Sequence, residues 1–144
     1  MFKKILYPTD FSEISHKAIA ALLQLKEAGT REVVLIHVID SRNLDAMVHW
    51  APADYESTRK VIENAAVENA AAVVKELKNA GLEVTVRILE GIPTREILKA
   101  AEEPGVTSII IGSHGKSNLQ EILMGSVSET VIRKAEKPVI VIKR

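Results

Sequence analysis

Apolar and polar residues along this chain switch repeatedly between two periods. Short, nearly continuous apolar runs lie at Lys4 to Tyr7, Val33 to Ile39, Ser108 to Ile111 and Pro138 to Ile142, and an alternating run lies at Val84 to Leu89. Runs of this length, rich in Val and Ile and bounded by Gly or Pro, predict β-strands. Between them the apolar positions recur every three or four residues. Ala18, Ile19, Leu22 and Leu25 mark a helix that Ser12 can cap and Gly29 ends. Ile62, Ala66, Asn69, Val73 and Leu77 lie near one face of a long helix, from Ser57 to Ala80, with Gly81 as its stop. Pro93 and Thr94 open a third helix that Pro104-Gly105 closes, and Ser126 to Lys134 reads as the last. Residues 40 to 56 have no clear period and hold Trp50, Pro52 and Tyr55, so they read as a long connection.

Strands alternating with helices of this length predict βαβ units and a mainly parallel α/β sheet covered on both faces. The near-continuous Val/Ile runs fit strands buried on both sides. In such sheets ligands sit beyond the carboxyl ends of the strands, where the strand order reverses. The first strand ends in Pro8-Thr9-Asp10 and the fourth in Gly112-Ser113-His114-Gly115. If those two strands are central neighbours, both loops open on one crevice. Val139, Ile140, Val141 and Ile142 are all apolar, so a last strand at a sheet edge needs a cover. Either the strand is central or a second copy of the chain pairs with it, and the expected arrangement is a homodimer through Val139 to Ile142.

The glycine loop carries the chemistry. Glycines just past an apolar strand let backbone N–H groups approach an anion without Cβ interference. Ser126 stands three residues before Glu129, a capping-box spacing, so the positive end of a helix lies directly after Gly125. Two anion-binding elements therefore flank one loop, as a nucleotide's phosphates require. The competing reading makes Gly112 and Gly115 ordinary loop glycines at positive φ, Ser126 an ordinary helix cap, and Asp10 a turn former or cap for the first helix. Gly115-Lys116-Ser117 imitates the end of a P-loop, but that motif needs a glycine where Ile110 stands.

Composition narrows the classes. With 144 residues and 47% hydrophobic content, the chain suffices for one well-buried core and is short for two ordinary domains. Nineteen basic residues balance nineteen acidic ones, so no net field draws it onto nucleic acid or an anionic membrane. The absence of cysteine excludes disulfides and thiolate chemistry. Met1 to Leu6 runs into Tyr7-Pro8 before a signal-like apolar region is complete, and the expectation is a soluble, cytoplasmic protein. His16, His37, His49 and His114 show no metal-ligand spacing. His37, inside an apolar strand, reads as a satisfied structural histidine, and His114 as a phosphate contact or proton donor without a placed partner. Trp50 marks either a partner or lid surface or a residue buried over a helix.

Gly112-x2-Gly115-x9-Gly125-Ser126, together with Lys4-Ile5-Leu6-Tyr7-Pro8-Thr9-Asp10-Phe11-Ser12 and the closing Lys137-Pro138-Val139-Ile140-Val141-Ile142, resembles the ATP-binding branch of the universal stress protein family over the whole chain. The resemblance implies a single Rossmann-like domain over residues 1–144. It has an open five-stranded parallel sheet in the order 3-2-1-4-5, with helices on both faces, and dimerises through its last strands. It further implies that Asp10 hydrogen-bonds the ribose, that Pro8 and Thr9 shape the adenosine pocket, and that backbone groups around Val38 read the adenine edge. Ile111 and Gly112 would lie against the sugar. Gly115, Gly125, Ser126, Val127 and Ser128 would hold phosphates, with added charge from Lys116 and from Mg²⁺ or Mn²⁺ held through the phosphates.

The expected function is that of an ATP-binding regulatory protein, with ADP or AMP as alternative ligands. Bound nucleotide would switch conformation or partner preference, and hydrolysis would be slow or partner-dependent for want of a water-activating carboxylate. Two other classes stay open: a nucleotidyl-transferring enzyme of the adenine-nucleotide α/β group, for which the chain leaves no room for a substrate domain, and a binding module for another anionic metabolite.

Overall fold

Each apolar run forms a strand: β1 (Lys4–Pro8), β2 (Glu32–Asp40), β3 (Glu83–Gly91), β4 (Ser108–Gly112) and β5 (Val139–Ile142). The computed structural model describes residues 1–12, 14–114 and 125–143, without the side chains of residues 14 and 15. The strands form one five-stranded sheet in the order β3-β2-β1-β4-β5, and every pairing is parallel. Helices α1 (Ile14–Glu27), α2 (Ser41–Trp50), α3 (Tyr55–Asn79), α4 (Pro93–Ala101) and α5 (Ser126–Lys134) make the crossovers. A 3₁₀ turn at Pro52–Asp54 joins α2 to α3.

Period-two alternation along the central strands divides the interior into two layers. Ile5, Tyr7, Val33, Leu35 and Ile110 pack against Ala18, Ile19 and Leu22 of α1 and Ala70, Val73 and Leu77 of α3. Their neighbours Leu6, Val34, Ile36, Ile109 and Ile111 pack on the opposite face against Ile97, Ala100 and Ala101 of α4 and Val131 of α5. The near-continuous apolar runs are thus explained by burial on both faces. Gly29 and Gly81 take φ values of +110° and +93° just past α1 and α3, a left-handed stop that a Cβ would oppose.

Residues 40 to 56 differ from the connection expected of them. Asp40 caps α2 by accepting the Arg42 N–H at 3.0 Å, and the Arg42 guanidinium bonds both oxygens of the same carboxylate. Those side-chain bonds hold the Asp40 carboxyl below its ordinary range. Leu44 is the one fully buried residue of α2, so the helix leaves no apolar stripe to read. Trp50 is 83% exposed and meets His49 edge-on, which removes its reading as a residue buried over a helix. α3 starts at Tyr55, and Ala70 rather than Asn69 takes the sheet-facing position between Ala66 and Val73. None of the described helices is long and apolar enough to cross a membrane.

β5 lies at the sheet edge with all four residues half-buried. β3 forms the other edge. Leu22 is fully buried between α1 and the sheet, so Leu22→Ala is expected to cost about 3 kcal/mol of stability in urea unfolding. A loss below about 1 kcal/mol would contradict this packing of α1.

Candidate functional site

β1 and β4 are central neighbours, and the helices that follow them leave toward opposite faces of the sheet. The carboxyl ends of the two strands are therefore left uncovered between the departing chains. A cavity of about 210 Å³ opens there. On its β2 side it is lined by Ile36, His37 and Val38 with Pro93 and Ile97 of α4, apolar but for His37. Pro8, Thr9 and Asp10 occupy the middle. Gly112, His114 and the start of α5 from Gly125 to Ser128 lie on the β4 side. Of the residues singled out from the sequence, Pro8, Thr9, Asp10, Val38, Ile111, Gly112, Gly125, Ser126, Val127 and Ser128 all line this one cavity. Gly115 and Lys116 lie outside the described residues.

The loop after β1 is tightly specified. Thr9 extends the ladder by donating its N–H to the Ile36 carbonyl at 3.0 Å. Thr9 Oγ1 then accepts the Phe11 N–H, and Asp10 Oδ1 accepts the Ser12 N–H, each at 3.0 Å. The turn-forming role considered for Asp10 is therefore real, and the same residue lines the cavity. Between those bonds Phe11 is driven to φ +61°, the one described non-glycine residue at positive φ. A left-handed residue with a Cβ costs about 1–2 kcal/mol. His37, on the face of β2 that carries Val33 and Leu35, donates from Nδ1 to the Thr9 carbonyl at 2.8 Å. Its ring lies 4.8 Å from that of Phe11.

The β4 side is built mainly from backbone. The Ser113 N–H donates to the Ile142 carbonyl and the Gly125 N–H to the Ser113 carbonyl, both at 2.8 Å, so the chain returns to β4 where it left it. The Ser128 hydroxyl donates to the Gly112 carbonyl and pins the first turn of α5 to the same strand end. The capping box read into Ser126 and Glu129 does not form. Gly125 is the cap residue, Ser126 is the first residue of the helix, and Glu129 pairs with Arg133 one turn on. The offset of three from Ser126 to Glu129 gave the right spacing, but the helix starts at Ser126 itself, one residue earlier than a Ser126 cap requires.

This correction changes the chemistry of the site. Among the described residues no side chain caps α5, so its first-turn N–H groups find no described side-chain acceptor at the positive end of the helix dipole. Gly125 has φ −64° and ψ 149°, a conformation open to any residue. Positive φ among the described glycines is confined to Gly29, Gly81 and Gly105, so Gly112 is not a positive-φ loop glycine either. Neither glycine is required by its φ angle, and both line the cavity.

Among the described lining residues Asp10 supplies the one carboxylate, and none is Lys or Arg. His114 is buried, with Nδ1 2.7 Å from Ser113 Oγ, and its Nε2 has no hydrogen-bond partner among the described residues. No group of three His, Asp or Glu side chains among the described residues forms a metal cluster. The sequence reading did not assign Ile36, Pro93 or Ile97 to the site, nor His37 beyond a structural role. Pro93 had a usable signal: in a parallel sheet every strand-to-helix turn opens at the same end, and Pro93 starts the helix after β3.

The universal stress protein family model matches residues 1–143. Universal stress protein MJ0577 of Methanocaldococcus jannaschii is 44% identical over all of this chain and 96% of its own length. Its solved structure superposes with a TM-score of 0.90, covering 97% of that chain. Universal stress protein MJ0531 of the same organism is 32% identical over all of this chain and 84% of its own. A universal stress protein family protein from Arabidopsis thaliana, solved with AMP bound, shares the fold at a TM-score of 0.70 and 20% identity, covering 99% of this chain and 92% of its own. With the sheet order, the crevice and both terminal motifs in agreement, the chain belongs to the universal stress protein family.

Proposed function

We propose that the crevice binds an adenine nucleotide, ATP foremost, and that the bound nucleotide sets the conformation or partner preference of a cytoplasmic homodimer. The observation that carries this reading is the uncapped first turn of α5 behind a glycine that the backbone does not require. An anion seated there gains several N–H donors and the helix dipole without a side-chain competitor among the described residues. The apolar slot on the β2 side suits a base, and Asp10, midway, suits ribose hydroxyls. The AMP carried by the Arabidopsis protein supports a nucleotide ligand for this fold.

In this reading residues 1–144 act as one nucleotide-binding unit. Pro8 and Thr9 shape the adenosine pocket and backbone groups at Val38 meet the adenine edge. Ile111 and Gly112 lie against the sugar. Gly115, Gly125, Ser126, Val127 and Ser128 hold phosphates, with Lys116 adding charge. Mg²⁺ or Mn²⁺ enters through the phosphates and offsets their charge. With Asp10 engaged by ribose and by the Ser12 N–H, no described carboxylate of the cavity is left to orient a water. Hydrolysis is accordingly slow or dependent on a partner.

Protein purified without added nucleotide should release ATP, ADP or AMP on denaturation, identified by mass spectrometry. Gly125→Val tests the phosphate end directly. Valine accepts the backbone angles of this position, so the variant should fold and melt like the native chain while losing ATP binding by calorimetry. Unchanged affinity would remove α5 from the site, and equal displacement of ATP by GTP would point to a module for anions other than adenine nucleotides.

The homodimer follows from the half-buried apolar edge of β5, which pairing with a second copy would cover. Val141→Asp should shift the mass measured by light scattering from dimer to monomer. A variant that keeps the native mass would contradict pairing through this strand.

A further inference from the structure

His37 reaches the site from outside its glycine loop. Its Nδ1 donates to the carbonyl of Thr9, and its ring packs against Phe11. One side chain of β2 thus grips the residues immediately before and after Asp10. A carbonyl oxygen can only accept, so the neutral imidazole carries its proton on Nδ1. Phe11 is held at φ +61°, a conformation that persists only where its surroundings over-determine it. The bonds from Phe11 N–H to Thr9 Oγ1 and from Ser12 N–H to Asp10 Oδ1 are internal to the loop. The Thr9 N–H to Ile36 bond anchors only the start of the loop. The grip of His37 carries that anchorage past Asp10 to Phe11.

We propose that His37 is a positioning residue for ligand binding: it holds the Thr9–Ser12 loop in its left-handed turn and so keeps Asp10 at the cavity wall. The inference rests on reading the crevice as a nucleotide site and deepens it by naming what presets its carboxylate. A loop preset in the bound shape spares the ligand the cost of selecting that shape from alternatives. If release of the grip leaves the competent shape populated about one tenth of the time, the apparent Kd rises about tenfold.

Two substitutions separate the components of the grip. His37→Asn keeps an N–H donor near the position of Nδ1 without the ring, whereas His37→Phe keeps a ring against Phe11 without the donor. ATP affinity by calorimetry on the whole chain is expected to fall about tenfold in His37→Phe and to recover to within about threefold of native in His37→Asn. Against an Asp10→Ala background, His37→Phe should weaken ATP by less than about twofold, because the residue acts through Asp10. Native-like affinity in His37→Phe, or costs that add in the double variant, would overturn the proposal.

The imidazole ¹⁵N shifts of the native protein give a second readout that needs no variant. They should show the Nδ1–H tautomer and respond to added ATP. An Nε2–H tautomer, or no response to bound ATP, would overturn the proposal while leaving the nucleotide site standing. A native chain that binds neither ATP nor adenosine would remove the underlying reading, and the proposal with it.

Discussion

The structure depends on β1 and β4 lying side by side with both of their faces buried. Ile5 and Ile110 face one layer while Leu6, Ile109 and Ile111 face the other, so neither strand has a polar side to offer the solvent. Each strand must then be covered twice, and the helices that follow the two strands leave in opposite directions. That departure opens the crevice. The site is a consequence of the way the core is covered, and its walls are the first residues after the most deeply buried strands. An unusual demand follows: Thr9, Asp10 and Phe11 must turn immediately at the end of a strand that has no freedom to shift.

The two walls meet this demand by different means. After β1, side chains do the work, with Thr9 Oγ1, Asp10 Oδ1 and His37 Nδ1 each bound to backbone around a left-handed Phe11. After β4, backbone does it, with Ser113 and Gly125 hydrogen-bonded to each other and Ser128 tying α5 to Gly112. The division has a chemical logic. A wall with oriented side-chain acceptors suits hydroxyls, and a wall of N–H groups at a helix start suits anions. Among the described residues no Lys or Arg lines the cavity, so what this lining offers an anion is dipoles fixed by the fold.

Strand identity was legible because two-faced burial leaves a strong pattern, whereas the sheet order, and with it the meeting of Pro8–Asp10 with Gly112 and Gly125–Ser128, was legible through the family resemblance. α2 was not, because a helix that buries Leu44 alone and exposes Trp50 has no periodic signature, and its capping by Asp40 is a two-residue event. The start of α5 was misread by one residue, since Ser-x-x-Glu spacing cannot tell a cap from a first turn whose working hydroxyl belongs to Ser128. His37 was legible as a satisfied histidine but not by its partner, since the bond to Thr9 joins residues 28 apart in sequence. Gly112 shows the reverse gain. Its sequence position suggested an anion site, and its absence from the positive-φ glycines removed the competing conformational explanation.

The central claim is that one ligand lies across both walls, with its anionic end at α5. Backbone amide shifts of the ¹⁵N-labelled protein, followed as ATP is added, test it most directly. The account predicts perturbations at Asp10 and Val38 together with Gly112 and Ser126 to Ser128, saturating with a single Kd. Perturbations confined to one wall, or centred away from the carboxyl ends of β1 and β4, would contradict it.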